Sequence, residues 1–281
     1  MKKVTVLVSA LMLVAFVSNA QELKNKQGVP ILPAAGDYAI GIDATPIFNF
    51  FGNFVKINSG AAFNDPSAWN FVNGTNAIYG KYFVDATTAY RANIRLGIGS
   101  VTQKNYVIQD GQADPTVTVE DKYTLGTKNI VIGAGLEKRR GVSRFQGFYG
   151  AEAQIMLGSQ KDKYTYGNAF SSTNTTPTTT NFGTNIDGAN RITENKAGST
   201  FGIGLRAFVG VEYFIVPKLS VGGEFGWGLI FGSQGDGEKT EEGWDAANTT
   251  IKTYKIKTGG GSQFGFDNDN FGGCIYMMFH F

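Results

Sequence analysis

The stretch 201–213, FGIGLRAFVGVEY, alternates in character at every position. Phe201, Ile203, Leu205, Ala207, Val209, Val211 and Tyr213 fall on one face. Gly202, Gly204, Arg206, Phe208, Gly210 and Glu212 fall on the other. A period of two belongs to a β-strand, and a run this long exceeds an ordinary strand of about 5–6 residues. With a rise of about 3.3 Å per residue and a tilt of about 40°, Phe201 and Tyr213 stand about 30 Å apart along the normal of a membrane. One face suits lipid and the other a polar interior.

The same alternation predicts seven further strands, over 37–46, 76–84, 89–99, 128–138, 144–158, 220–231 and 271–281. Tyr90, Ile94 and Leu96 face outward with Arg91, Asn93 and Arg95 inward. Ile155 and Leu157 face outward with Gln146, Glu152 and Gln154 inward. The segment 76–84 is the weakest, because Tyr79, Lys81 and Phe83 share a face. Three connections are short: Asp85-Ala86-Thr87, Arg139-Arg140-Gly141-Val142 and Val216-Pro217-Lys218. Four are long, at about 47–75, 101–121, 159–198 and 233–262. Short turns on one side and long loops on the other are the outer-membrane pattern. The expected fold is therefore all-β, an eight-stranded antiparallel up-and-down transmembrane barrel. The aromatic segment IFNFFGNFV (47–55) keeps ten strands as the alternative. Segments 101–108 with 116–125, and 251–257 with 262–266, are expected to carry strands above the membrane as protruding hairpins, and SSTNTTPTTT (171–180) to be a mobile loop tip.

The N-terminus fixes the compartment. Lys2 and Lys3 precede an apolar run, Val4 to Val17, and Ser18-Asn19-Ala20 supplies a cleavage site. That is a secretory signal peptide over 1–20, followed by a periplasmic lead-in over 21–35 and the barrel over 36–281. Loss of Lys2 and Lys3 from the 25 basic residues leaves 23, equal to the 23 acidic ones. A neutral chain carries no electrostatic footprint for nucleic acid. The single cysteine, Cys274, cannot form an internal disulfide. The 38 Gly, 22 Phe and 12 Tyr spread along a secreted chain suit a membrane barrel, whose interfaces use aromatics and whose strands bend at glycine.

The stretches GDYAIGIDATP (36–46), IYGKYFVDATTAYRANIRLGIG (78–99) and GLEKRRGVSRFQGFYGAEAQIMLG (135–158), with the terminal Phe281, resemble small bacterial outer-membrane barrels of the OmpA transmembrane-domain and OmpX type. The resemblance spans nearly all of 36–281. It implies that Phe279 and Phe281 belong to a signal read by the barrel-assembly machinery. It departs at Tyr276, where the family pattern has glycine.

Catalytic motifs are missing from the sequence. After signal removal the one histidine is His280, expected at the periplasmic rim, and there is no GxSxG, HExxH or CxxC. Asp267-Asn268-Asp269-Asn270 lacks the remaining ligands of a calcium loop. No enzyme activity, cofactor or metal is expected. The inward faces collect Lys81, Arg91, Arg95, Arg144 and Arg206 as cations, and Asp43, Glu137, Glu152, Glu212 and Glu224 as anions. In a barrel this narrow such charges must pair. They read as a polar plug, as a network that re-pairs to gate a narrow pore, or as carboxylates with shifted acidity. The expected role is structural or surface interaction, with an unnamed extracellular ligand met by loops carrying Trp69, Phe170, Phe182 and Trp244. The alternative is a narrow channel for small solutes.

Overall fold

The computed structural model describes residues 23–43, 78–141, 143–268 and 274–281, without the side chains of Asp43, Asp267, Asn268 and Cys274. The expected signal peptide, the expected first long connection with Trp69, and the aromatic segment at 47–55 lie outside the described residues. The described chain is all-β and antiparallel, with thirteen strands: β1 (Tyr38–Asp43), β2 (Ile78–Asp85), β3 (Thr88–Ile108), β4 (Thr118–Arg140), β5 (Phe145–Thr165), β6 (Ile186–Asp187), β7 (Asn190–Lys196), β8 (Thr200–Val216), β9 (Leu219–Gln234), β10 (Gly237–Asp245), β11 (Thr250–Thr258), β12 (Gly261–Asn268) and β13 (Cys274–His280).

Several of these strands are segments of longer runs. On either side of 197–199, Lys196 faces Glu238 and Thr200 faces Gln234. On either side of Gly259 and Gly260, Thr258 faces Gly237 and Gly261 faces Gln234. The register carries through, so β7 continues into β8, β9 into β10, and β11 into β12. The ladders also form a circuit. β1 pairs β2, then β3, β4, β5, β8, β9 and β13 follow in turn, and β13 pairs β1.

Connection chemistry accounts for the short turns. Asp85 Oδ1 accepts hydrogen bonds from the Thr87 backbone N–H and hydroxyl, each at 2.7 Å, and so closes the β2–β3 turn. Pro217 leads into Lys218, which takes a positive φ of 67° to join β8 to β9. The stretch 233–262 differs from expectation. It is not a loop: β10 pairs β11 from Gly237↔Thr258 to Asp245↔Thr250, and only 246–249 turn. The expected pairing of 251–257 with 262–266 is replaced by pairing of each with the β9–β10 run. Trp244 consequently sits in a strand.

The two faces separate as the alternation predicts. Ile203, Leu205, Val209 and Val211 are exposed, while Phe208 and Glu212 are buried. The weak segment 76–84 has a plain cause: Lys81 and Phe83 both lie on the buried face, and Tyr79 packs against the same cluster. That face holds an apolar group of Ala39, Phe83, Ala89, Phe148, Phe208, Tyr276 and Met278. Glycine makes room for its rings. A Cβ at Gly150 would stand 2.6 Å from Phe208 Cζ, and one at Gly210 would collide with the Phe148 ring.

Candidate functional site

The buried face places charges by register. Lys81 faces Arg91 across β2–β3, and Glu152 faces Arg206 across β5–β8. Glu137 faces Ala89, and Glu224 faces Gly210, so these two carboxylates reach inward past small residues. Arg91 is the hub. It meets Glu224 at 2.9 Å, Glu152 at 3.1 Å and Glu137 at 3.6 Å. Arg206 meets Glu224 at 2.7 Å and Glu152 at 3.3 Å. Lys81 meets Glu137 at 2.9 Å and Glu212 at 3.3 Å, and Arg139 bonds the same two at 3.2 and 2.8 Å. Four glutamates thus answer four cations.

Aromatic faces take up the rest of the positive charge. The Arg91 guanidinium lies 4.0 Å from the Phe208 ring centre, and Lys81 Nζ lies 4.7 Å from that of Phe148. Arg139 packs over Phe83 and Phe214. A buried charge left without a partner costs several kcal/mol, so this pairing makes the arrangement tenable and ties together strands that no ladder joins.

His280 belongs to the same cluster. Expected as a rim residue, it is buried, with Nε2 2.9 Å from Ser220 Oγ and 3.3 Å from Glu212 Oε1. The Ser220 hydroxyl also donates to Glu212. An acyl-transfer relay places the carboxylate on Nδ1, opposite the serine. Here both partners share Nε2, and Nδ1 is buried without a hydrogen-bond partner among the described residues. The three side chains form a hydrogen-bonded knot at the end of β13. Among the described residues, no group of three or more His, Cys, Asp or Glu is arranged to hold a metal ion.

Of the expected inward charges, Lys81, Arg91, Arg206, Glu137, Glu152, Glu212 and Glu224 come together. Arg95 also lies partly buried on that face, beside Gly97. Arg144 does not join them: β5 begins at Phe145, and the Arg144 guanidinium donates to the Ile215 carbonyl at 2.7 Å beside the short turns. The Asp43 side chain lies outside the described residues. Arg139 is the member that the sequence reading misses, since it assigns this residue to a turn. Continuing the alternation two residues past Glu137 would have found it. Phe279 and Phe281 lie exposed beside the cluster's end.

A second ordered region lies at the far end of β3, β4 and β5. The polar stretch expected to be mobile is tied down. Asp110 accepts from Asn174 Nδ2 at 2.7 Å and from the Thr178 N–H at 2.8 Å. Asp121 accepts from the N–H groups of Gly167 at 2.8 Å and Thr180 at 2.7 Å. Arg191 pairs with Glu242 at 2.7 Å beneath the rings of Tyr166 and Phe170. Phe170 is buried, and Phe182 packs on Tyr123 and Tyr164. Burial and the hydrogen bond to Asp162 push the Tyr123 hydroxyl up to about 12.

No family model matches the chain, and no curated protein matches it in sequence. Among solved structures it is similar to the outer membrane protein OprG from Pseudomonas aeruginosa, with a TM-score of 0.29 and 11% identity over 89% of this chain and 98% of that one. Overlap of that degree adds nothing to the ladders and faces described above.

Proposed function

We propose that the chain is a bacterial outer-membrane protein whose ladder circuit is an eight-stranded transmembrane barrel with a charge-filled lumen. The observation that carries this is the pair Arg91–Glu224. The two strands lie half the circuit apart, yet their side chains form two hydrogen bonds. Side chains from opposite walls meet only where the enclosed space is narrow, as in an eight-stranded barrel. The exposed face supports the same reading. Tyr38, Tyr82, Tyr90 and Tyr213 stand exposed toward one end, Phe201, Phe231 and Phe264 toward the other, with Ile94, Ile132, Ile155 and Leu205 between them. That is an apolar band between aromatic girdles. β3 and β4, at 21 and 23 residues, are about twice the length a strand needs to cross, so both project beyond the band.

On this reading residues 1–20 are removed, both termini and the short turns face the periplasm, and Phe279 and Phe281 serve the assembly machinery. With the lumen read as a plug, the role is structural or surface interaction through the projecting hairpins, and not catalysis. A narrow gated channel is the second reading. It draws on the shared carboxylates, since Glu137 has three cations in reach and Glu224 two, which permits re-pairing.

Topology is tested by labelling. In a Cys274→Ala background, Asn248→Cys should react with a membrane-impermeant maleimide on intact cells. Ala86→Cys should react only after the outer membrane is permeabilised. The reverse pattern, or equal labelling of both, contradicts the reading.

A further inference from the structure

The exposed face changes character abruptly along the ladders. One register row reads Leu96, Ile130, Leu157 and Phe201 across β3, β4, β5 and β8. In the next same-face row Lys128 stands opposite Ile98. The row after it carries Lys161, Lys196, Glu238 and Lys257 across β5, β7, β10 and β11. Beyond lies the row of Lys163, Glu194 and Lys255, and then Lys104 opposite Lys122.

Few carboxylates answer this belt. Glu194 holds Lys161 and Lys196, each at 2.7 Å, Glu238 holds Lys255 at 3.3 Å, and Glu120 holds Lys104 at 2.9 Å. Lys122, Lys128, Lys163 and Lys257 have no carboxylate within 4.0 Å among the described residues. Eight lysines thus face three glutamates, in a chain that is neutral once Lys2 and Lys3 are lost. Lysines beside an apolar band can extend their heads into water. Crowding like charges into neighbouring positions costs energy unless anions collect there.

We infer that this belt binds phosphate groups on the headgroups of the outward leaflet, and that a glycolipid carrying two phosphates fits it best. The inference rests on the membrane reading above, which sets the rows of Lys128 and of Lys161 and Lys196 just beyond the apolar band, nearest headgroup depth. The spacing suits more than one phosphate. Lys161 and Lys163 are two residues apart on one face, about 7 Å, and Lys196 lies about 5 Å away on the next strand. Ammonium groups bind phosphate as point charges and tolerate a mobile headgroup.

The test measures binding of fluorescent bis-phosphorylated lipid A, and of its dephosphorylated form, to the refolded protein in zwitterionic micelles. Wild type should hold the phosphorylated lipid about tenfold tighter or more, and rising salt should erode the difference. Lys128→Gln/Lys161→Gln/Lys163→Gln/Lys196→Gln should abolish the preference. Lys128→Gln/Lys163→Gln leaves every ion pair of the belt intact and should reduce the preference about threefold. Inorganic phosphate at matched concentration should leave the lipid bound. Equal affinity of wild type for both lipids, an unchanged preference in both variants, or full displacement by inorganic phosphate would overturn the inference. Insertion into bilayers is followed separately by heat-dependent gel mobility and protease protection. An inserted protein without phosphate preference overturns the belt alone. A protein that never inserts overturns the barrel reading and the belt with it.

Discussion

Arg91 on β3 and Glu224 on β9 form two hydrogen bonds, Nη1 to Oε2 at 2.9 Å and Nη2 to Oε1 at 3.1 Å, although no ladder joins their strands. The pair is buried and shared, since Glu224 also bonds Arg206 at 2.7 Å. Arg91→Met or Glu224→Gln alone leaves charge stranded and should destabilise the refolded protein by about 3 kcal/mol. The double variant should cost less than the sum, with a coupling of about 0.5–3 kcal/mol in a urea-unfolding cycle. Simple additivity would show that the two do not interact.

Two neighbouring residues should be destabilised by substitution for different reasons, one on each face. Val209 is exposed on the apolar band, so Val209→Arg should cost about 2–4 kcal/mol in lipid vesicles. Gly210 faces inward against the Phe148 ring, so even Gly210→Ala should destabilise, by about 1–3 kcal/mol from overpacking. Unfolding in vesicles checks both. Wild-type stability of Val209→Arg would contradict the assigned faces.

Lys218 holds a positive φ of 67° at an exposed turn. That conformation costs an L-residue about 1–2 kcal/mol, and glycine enters it freely while losing about 0.5–1 kcal/mol of entropy. Lys218→Gly should therefore stabilise slightly, by about 0.5 kcal/mol. A loss of stability on equilibrium unfolding would show that the turn is not strained.

Asp121 fastens the stretch beyond β5 through two backbone N–H groups. Asp121→Ala should free residues 167–180 to proteolysis while the protein keeps its heat-dependent gel mobility, each lost bond being worth about 1 kcal/mol. Asp110 fastens it as well. Burial would raise its carboxyl, but hydrogen bonds from Thr178 and Asn174 outweigh burial and hold it below its ordinary 3.8. Its contribution is therefore present above that value and lost as pH falls through the lower, folded one. Limited proteolysis across acid pH reads both effects, and unchanged cleavage of Asp121→Ala would contradict the fastening.

The two faces of β3, β4, β5 and β8 are legible in the sequence because apolar and polar side chains alternate there. The charges on the buried face follow from the same count, and Arg139 is missed because Arg139-Arg140-Gly141-Val142 resembles a solvated turn. Arg144 fails for the opposite reason: alternation extended one residue beyond the start of β5. Of the β10–β11 hairpin, the sequence shows a strand over 251–257 but not its partner β10, because both faces of 237–245 are polar. The two strands are held by ladder hydrogen bonds and by pairs such as Lys255–Glu238, which leave no hydrophobic period. The Ser- and Thr-rich stretch misleads similarly, since its partners Asp110 and Asp121 lie about 60 residues away in sequence.

Conductance of the refolded protein in planar bilayers tests the closed, charge-filled lumen most directly. The plug predicts no steady conductance in wild type, in Glu152→Gln or in Arg206→Met. Discrete openings that grow when Glu152 or Arg206 is neutralised would favour the gated channel. Large and stable conductance of the wild type would contradict the plugged eight-stranded barrel.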